Sequence, residues 1–322
     1  MEYQTKTLTD TISIEASKEK TLDLPRNGYI THIDLLIKLN LDTATGGATP
    51  KEDAIDRFID LLTIEAGARK FFAVEDGRQL KYMNLYDYHQ VDEDSLPTSG
   101  GVSGQDVYAQ RRIHFGFNPL DLFDPTSVIP ALKSQFTNLK LRARFNAASE
   151  LGSGYTLNSG EIKVTVYQLV LDEEKEEEIW ANGIVVPIMH AVELNVNAVK
   201  SDLGFEDDIP VGNVLYRTQI MTFDSSVNRS NSIVSEYGIK LPKVNKTPYK
   251  INWHTSVRKD RAQYHLPSTY KGVTVLDWED ISGLELGMDL SEFEKGDVKI
   301  GFSTLVSSGY IKLMHQGYTL LE

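Results

Sequence analysis

The sequence predicts an all-β protein made of two consecutive β-sandwich domains. The main observation is a strand pattern that occurs twice, near the end of each half of the chain. In the first half, residues 136–145 alternate apolar and polar side chains, and after a glycine-rich break the alternation resumes over 160–167. In the second half, residues 296–303 and 310–314 have the same layout with different side chains. Each pattern is typical of two strands that close a sandwich.

Length, composition and charge limit the kind of protein to expect. At 322 residues the chain exceeds the usual size of one domain, so two domains are expected. It contains no cysteine, which rules out disulfides, thiol catalysis and cysteine-ligated zinc. Its formal net charge of -13 argues against wrapping nucleic acid, because that affinity comes mainly from lysine and arginine. No window approaches the roughly 20 apolar residues of a membrane span, and no signal peptide is visible, so a soluble chain is expected.

The first half opens with short alternating runs at 11–15 and 21–24. The longest run, 29–41, is predicted to be a half-buried strand, because one of its faces carries only aliphatic side chains. The loop at 42–50 ends this strand through its glycines and proline. The aliphatic face consists of Ile33, Leu35, Ile37, Leu39 and Leu41.

The rest of the first half is less regular. Apolar spacing between 54 and 62 is compatible with a helix, but 62–66 and 70–74 favour strands around Gly67, and Asp76-Gly77 predicts a hairpin turn. The further predictions are a long polar surface loop at 92–105, a strand at 111–117 and one helical turn at 128–132.

The middle of the chain carries a run of like charge over 172–178. Such a run cannot enter a core, so it is either a solvated linker or a strand tip that faces water, and its place near mid-chain is where a two-domain reading requires a joint. The domain limits that follow are 1–171 for the first sandwich, 172–182 for the acidic linker and 183–322 for the second sandwich.

The second half repeats the organisation of the first. Strands are predicted at 183–187, 192–197, 216–223 and 271–278, whereas 224–270 has few regular signals and is predicted to hold long loops with a short strand at 249–253. Each half thus supplies about eight strands with a long loop in the middle. This favours two eight-stranded jelly rolls, a double jelly roll, over seven-stranded immunoglobulin-type sandwiches.

No catalytic signature is present. The run Gly100 to Gly104 lacks the spacing and lysine of a phosphate-binding loop and is predicted to be a flexible loop, and no serine lies in a Gly-x-Ser-x-Gly motif. The histidines form no metal-ligand pair, and His32, His190 and His315 lie in or beside strand runs, where a structural role is expected. The sequence therefore predicts no catalytic residue, no cofactor site, no cofactor and no metal ligand.

Two acidic runs, at 92–94 and 206–208, leave a glycosidase hypothesis open. Two carboxylates across a cleft can act as acid and nucleophile in glycoside hydrolysis. Both runs are predicted to lie in polar loops, where solvation or an adventitious hard cation such as Ca²⁺ is the simpler account. Catalysis is therefore the weakest hypothesis.

Two groups of aromatic residues allow three interpretations. They are suited to a carbohydrate-binding surface, to a subunit interface, or to ordinary core packing. The first group is Tyr82, Tyr86 and Tyr88, and the second is Trp253, Tyr264 and Tyr270.

The order of these features resembles the double jelly-roll major capsid proteins of icosahedral viruses, many of which have an internal membrane. In each half an opening strand follows a glycine turn, at Asn27-Gly28 and at Asn182-Gly183, then comes the long loop and then the closing strands. The resemblance covers essentially the whole chain. It implies two jelly rolls side by side, normal to the shell, in a homotrimer whose six similar lobes give a pseudo-hexamer that tiles the shell.

The resemblance also implies a structural, non-enzymatic subunit of the virion capsid, synthesised in the host cytoplasm. Its partners would be further copies of itself, with penton proteins, minor capsid proteins and an internal membrane as additional candidates, and without direct binding of nucleic acid. The loops at 92–105 and 224–270 would form outward towers or subunit contacts. Unlike relatives with a basic or amphipathic terminal segment, residues 1–10 contain only one basic residue, Lys6.

A second hypothesis also stays open. Two β-sandwiches could instead bind glycans or a receptor through loop aromatics, as a viral spike or a lectin does. In that case the exposed aromatics near Trp253 would be needed for sugar retention and not for assembly.

Overall fold

The computed structural model describes residues 4–25, 28–67, 69–89, 91–115, 129–130, 138–170, 177, 184–283 and 287–321. The strands in this part of the chain are β1 (Gln4–Ser13), β2 (Glu19–Asp23), β3 (Tyr29–Thr43), β4 (Thr49–Pro50), β5 (Ile59–Ala66), β6 (Arg69–Val74), β7 (Asp92–Glu93), β8 (Gln105–His114), β9 (Ile129–Pro130), β10 (Leu139–Phe145), β11 (Gly152–Ser153), β12 (Tyr155–Val170), β13 (Ile184–Val196), β14 (Lys200–Asp208), β15 (Val214–Phe223), β16 (Val234–Leu241), β17 (Lys246–Asn252), β18 (Val273–Asp277), β19 (Met288–Asp289), β20 (Lys299–Thr304) and β21 (Gly309–Leu321). The helices are α1 (Ala54–Arg57), α2 (Gly77–Tyr88), α3 (Trp253–Gln263) and α4 (Glu279–Ser282), with 3₁₀ turns at Ala148–Glu150 and Pro242–Val244.

The chain divides into two compact units. The first unit is Met1–Pro187 with Leu320–Glu322, and the second unit is Ile188–Thr319. The predicted acidic linker at 172–182 lies outside the described residues, except for Glu177.

The first unit has two principal antiparallel sheets. One has the order β1-β12-β3-β8, extended by β7 beside β8 and by β9 beside β3, and the other has the order β2-β10-β5-β6. The eight principal strands of this unit, in chain order, are β1, β2, β3, β5, β6, β8, β10 and β12. When they are numbered 1 to 8, the strand order is 1-8-3-6 in one sheet and 2-7-4-5 in the other. This interleaving of two four-stranded sheets is the jelly roll, so the predicted fold class is confirmed.

The second unit repeats this topology strand for strand. Its sheets have the orders β13-β21-β15-β18 and β14-β20-β16-β17, which again number 1-8-3-6 and 2-7-4-5. The two predicted closing strands of each unit are β10 and β12, and β20 and β21. They lie in opposite sheets, so each pair closes both layers of its sandwich.

Alternating burial along the long strands explains why the sequence specifies this fold. The aliphatic face predicted on β3 is buried, from Ile33 to Leu41. In the second unit, one core joins residues of both sheets, among them Ile220, Tyr237, Phe302 and Leu313. Each fully buried side chain of this size contributes roughly 1.5–3 kcal/mol relative to an exposed one, and a one-residue slip in register would expose the whole buried set.

One prediction in the less regular segments is confirmed, and three need correction or qualification. The strands at 62–66 and 70–74 are confirmed as β5 and β6. The hairpin at Asp76-Gly77 is wrong, because Asp76 begins helix α2 instead, its carboxylate accepting a hydrogen bond from the Arg78 backbone N–H at 3.0 Å. Of the helical turn predicted at 128–132, residues 129 and 130 form strand β9 and the others lie outside the described residues. The loops predicted at 224–270 contain β16, β17 and the whole of α3.

Candidate functional site

Each unit carries one helix at the same point of its topology. The connection from the fifth to the sixth principal strand contains α2 in the first unit, over 75–104, and α3 in the second, over 253–272. We call these segments the helix connections. Contacts to the neighbouring strands hold each helix connection in place and decide which of its side chains face solvent.

Both helices bond to the following strand through their eighth residue. In the first unit, the Asn84 side chain donates to the carbonyl of Arg112 at 2.6 Å and accepts from the Arg112 N–H at 2.7 Å. In the second, Asp260 is buried and accepts from the Val275 N–H at 3.1 Å and from the Thr274 hydroxyl at 2.7 Å. Removing a buried acceptor of this kind costs about 1–3 kcal/mol. The helices are therefore fixed parts of the two domains.

Helix α2 is also held by an ion cluster that consists of Asp53, Asp56, Lys81, Glu93 and Arg111, all of them buried except Glu93. Arg111 is 1% exposed and donates twice to Asp56, at 2.7 Å through Nε and 2.6 Å through Nη2. Lys81 lies 3.0 Å from Asp53 and 2.6 Å from Glu93. Burial alone would lower the pKa of Arg111, but the carboxylates of Asp56 and Glu93 raise it above its ordinary value, so Arg111 stays charged.

A second ordered region is the loop end of the first unit, which we define as residues 42–48, 98–104 and 152–155. The Ala44 N–H donates to the Gly154 carbonyl at 2.8 Å, and the Gly101 N–H donates to the Ala44 carbonyl at 3.1 Å. The Thr43 hydroxyl donates to the Ser99 carbonyl at 2.7 Å. Residues 100–104 form a loop, as predicted, and long-range hydrogen bonds hold this loop against neighbouring segments.

Glycine is needed in the loop end because backbones touch there. A Cβ on Gly100 would lie 2.1 Å from the carbonyl oxygen of Thr45, whereas a Cβ on Gly46 would meet no atom within 4 Å. Neither glycine has a positive φ, so the two positions differ mainly in space.

We expect Gly100→Ala to lower the free energy of unfolding by about 1–3 kcal/mol, through overpacking against backbone. Gly46→Ala should be neutral or stabilise by up to about 1 kcal/mol, because it only restricts the unfolded chain. Urea denaturation followed by circular dichroism measures both. Equal urea midpoints for the two variants would contradict the close approach of residue 100 to the backbone of Thr45.

The acidic runs do not form a carboxylate pair in a loop. Residues 206–208 belong to strand β14, and Glu206 pairs with Lys240 and with Lys299, the latter at 3.5 Å. Asp92 and Glu93 form β7, and Glu93 belongs to the ion cluster. Both placements differ from the predicted polar loops, because these residues pair with neighbouring strands: β14 with β20, and β7 with β8. Among the described residues, no group of three acidic or histidine side chains is arranged to hold a metal ion.

The aromatic groups belong mainly to the cores. Tyr82 and Tyr86 are buried on α2, and Trp253 is fully buried, with its indole N–H donating to Asn231 at 3.0 Å. Tyr264 is partly buried and its hydroxyl donates to Asp277. The glycan hypothesis centred on Trp253 therefore loses the exposed aromatic surface that it required. Asn252 caps α3 and so marks the start of the helix that carries Trp253.

The histidines singled out in the sequence lie in strands. His32 is buried in β3, contacts the Thr31 hydroxyl at 3.0 Å and stacks on Tyr167 at 4.1 Å between ring centroids. His315 is buried in β21, with its Nδ1 2.9 Å from the Thr218 hydroxyl. His190 is exposed on β13.

In the part of the chain that the structure describes, no helix combines the length and apolar character of a bilayer span.

The comparisons with known proteins concern the fold. No protein-family model and no curated protein matches the chain. Solved structures match along its whole length. The major capsid protein (MCP) of STIV superposes with a TM-score of 0.81 at 17% identity, covering 99% of this chain and 97% of that chain.

Two further structures extend this likeness. The atomic structure of Sulfolobus turreted icosahedral virus gives a TM-score of 0.81 at 16% identity, covering 99% of this chain and 91% of that chain. The capsid of PBCV-1 virus gives a TM-score of 0.66 at 10% identity, covering 100% of this chain and 95% of that chain. The helix connections, the two sheet pairs and this full-length likeness lead to one conclusion: the chain has the double jelly-roll fold of viral major capsid proteins.

Proposed function

We propose that this chain is the major capsid subunit of an icosahedral virus and acts by self-association, without catalysis. The observation that carries the proposal is the duplicated topology, 1-8-3-6 and 2-7-4-5 in both units, within a chain that matches a viral MCP over 99% of its length. Two like domains in one chain give a homotrimer six similar lobes, and a ring of six lobes suits a nearly hexagonal lattice. The trimers would tile the shell of the virion.

Cross-strand ion pairs in the sheets β2-β10-β5-β6 and β14-β20-β16-β17 support the proposal that these sheets face solvent. In the first unit, Arg142 on β10 pairs with Glu19 on β2 at 2.8 Å. In the second, Lys250 on β17 pairs with Glu236 on β16 at 2.9 Å. Such half-exposed pairs contribute at most about 1 kcal/mol each, but they keep an exposed sheet hydrated and discourage edge pairing.

The partners under this proposal are further copies of the chain. Penton proteins, minor capsid proteins and an internal membrane are additional proposed partners, and the net charge of -13 argues against direct contact with the genome. The acidic run at 172–178 is proposed to join the two jelly rolls. Synthesis in the host cytoplasm is part of the same proposal.

Electron microscopy of the purified protein in negative stain tests this proposal. Class averages should contain particles with three-fold symmetry and six lobes, alone or joined in sheets. Bilobed single particles at every concentration, with no rings or sheets, would contradict it. The same grids prepared with added polysaccharide would separate the glycan-binding alternative, which predicts sugar-dependent clustering of bilobed particles.

A further inference from the structure

The two helix connections carry opposite charge although they occupy the same place in the jelly-roll topology. Residues 75–104 contain six acidic and two basic side chains, a net charge of -4. Residues 253–272 contain one acidic and four basic side chains, a net charge of +3, in a chain whose overall charge is -13. The two segments thus present opposite charge at topologically equivalent positions of the two units.

The positive charge in the second unit forms a stripe on α3. The stripe consists of Arg258 and Arg261, which are both exposed and lie three residues apart, so they share one helix face. Trp253 and Asp260 lie on another face of the helix, which is buried.

The cations of this basic stripe are available to a partner. Lys259, beside the stripe, pairs with Asp280 on α4. Arg258 and Arg261 form no ion pair with any residue that the structure describes. An arginine left free on a rigid helix can bind a carboxylate in a bidentate way.

The negative charge in the first unit includes an exposed acidic segment, Asp92 to Asp94. It is held against β8, where Asp92 lies opposite Gln110 and Glu93 opposite Ala109. Asp94 accepts from the Tyr108 N–H at 2.9 Å through one carboxylate oxygen. Within the described chain, the Asp92 side chain has no hydrogen-bond or ion partner. The segment is therefore ordered and still has free carboxylate oxygens.

We propose that the basic stripe of one copy docks on the acidic segment of a second copy. The inference rests on the proposed function, because first and second units must alternate around a ring for every acidic segment to meet a basic stripe. A contact between two different patches is heterologous, and it gives a closed ring when the rotation between copies closes and an open filament when it does not. Since the copies repel one another through their net negative charge, a local pair of opposite charge would set which faces meet.

Charge-reversal variants of the full-length chain test the contact. Arg258→Glu/Arg261→Glu reverses the stripe, and Asp92→Lys/Asp94→Lys reverses the segment. The matched control is Lys18→Glu/Lys295→Glu, which changes net charge as much as the arginine variant at exposed sites outside both connections. The fourth protein combines the arginine and aspartate changes. Sedimentation velocity over a concentration series, at low and at high salt, gives the midpoint of assembly.

Each reversed variant should require about tenfold more protein for half assembly at low salt, as expected for two exposed pairs turned repulsive. The combined variant should recover most of that loss, and the control should stay within about twofold of the wild type. Recovery also shows that the single reversals did not simply unfold the chain. Trimers that tolerate both reversals would overturn the contact while leaving the proposed function intact, and a wild type that stays monomeric would overturn both.

Discussion

Arg111→Met should lower the free energy of unfolding of the first unit by about 3–5 kcal/mol. The guanidinium is the double hydrogen-bond donor to Asp56, which is itself 1% exposed. Removing one partner of a buried ion pair leaves the other charge poorly compensated, here with only the more distant Lys81 at 3.8 Å, and that desolvation cost is larger than the net contribution of the intact pair. Loss of the cluster should also loosen α2, because Lys81 and Glu93 depend on the same charges.

The matched control is Arg142→Met, the same substitution on β10 in the same unit. Arg142 pairs with Glu19, and both side chains are 36% exposed, so its loss should cost no more than about 1 kcal/mol. The double variant Asp56→Asn/Arg111→Met should recover part of the loss, because it removes the unpaired charge. Urea denaturation at neutral pH measures all three. A cost for Arg111→Met equal to that of Arg142→Met would show that the cluster is not needed for stability.

Acid should destabilise both units between pH 7 and pH 5 through two buried histidines. Burial lowers the pKa of His32 to about 4, with Arg112 adding to the effect. Burial lowers the pKa of His315 to about 3, and His190 adds to it. In the unfolded chain both titrate near pH 6.5. The unfolded state therefore binds more protons below that pH, and the stability conferred by the neutral folded histidines falls as the pH falls.

At pH 5 the expected loss is about 2 kcal/mol for each histidine. His315→Gln and His32→Gln should each remove about 2 kcal/mol of the difference in unfolding free energy between pH 7 and pH 5. His254→Gln, at an exposed position, should keep the wild-type difference. Urea titrations at the two pH values give these differences directly. Unchanged pH dependence in both core variants would mean that neither histidine titrates with unfolding.

The sequence predicted the strands well because burial on one face imposes alternation. The run at 29–41 is an example: its aliphatic face is set by the core, and the structure has it as β3. The duplicated closing strands at 136–145 and 296–303 also gave the two-jelly-roll architecture. In these strands, burial of one face against the core produces both the local alternation and the packing of the two sheets.

The helix connections could not be predicted in the same way. Helix α2 is buried around its circumference from Gly77 to Tyr86, so it lacks the apolar stripe that marks a surface helix. The dipeptide Asp76-Gly77 suits a hairpin and a helix start equally well, and only the residues that follow decide between them. In α3, the buried Trp253, Val257 and Asp260 do have helical spacing, and Asn252 before them was a usable cap signal.

The candidate site depended on long-range pairing, which a local pattern does not contain. Arg111 reaches Asp56 across 55 positions, and Thr43 bonds Ser99 across 56. A charge count per connection would have revealed the opposition between 75–104 and 253–272, but only the topology shows that these segments are equivalent. The likeness to capsid proteins was accessible from the layout of the strands.

The solution mass of the purified protein, measured by light scattering over a range of concentrations, tests the central claim most directly. One chain has a mass of 36.2 kDa, so the self-associating capsid subunit proposed above should give a stable species near 109 kDa, three times that value, or growth into larger particles. A mass that stays at 36.2 kDa at every concentration, also after addition of lipid vesicles, would contradict the account.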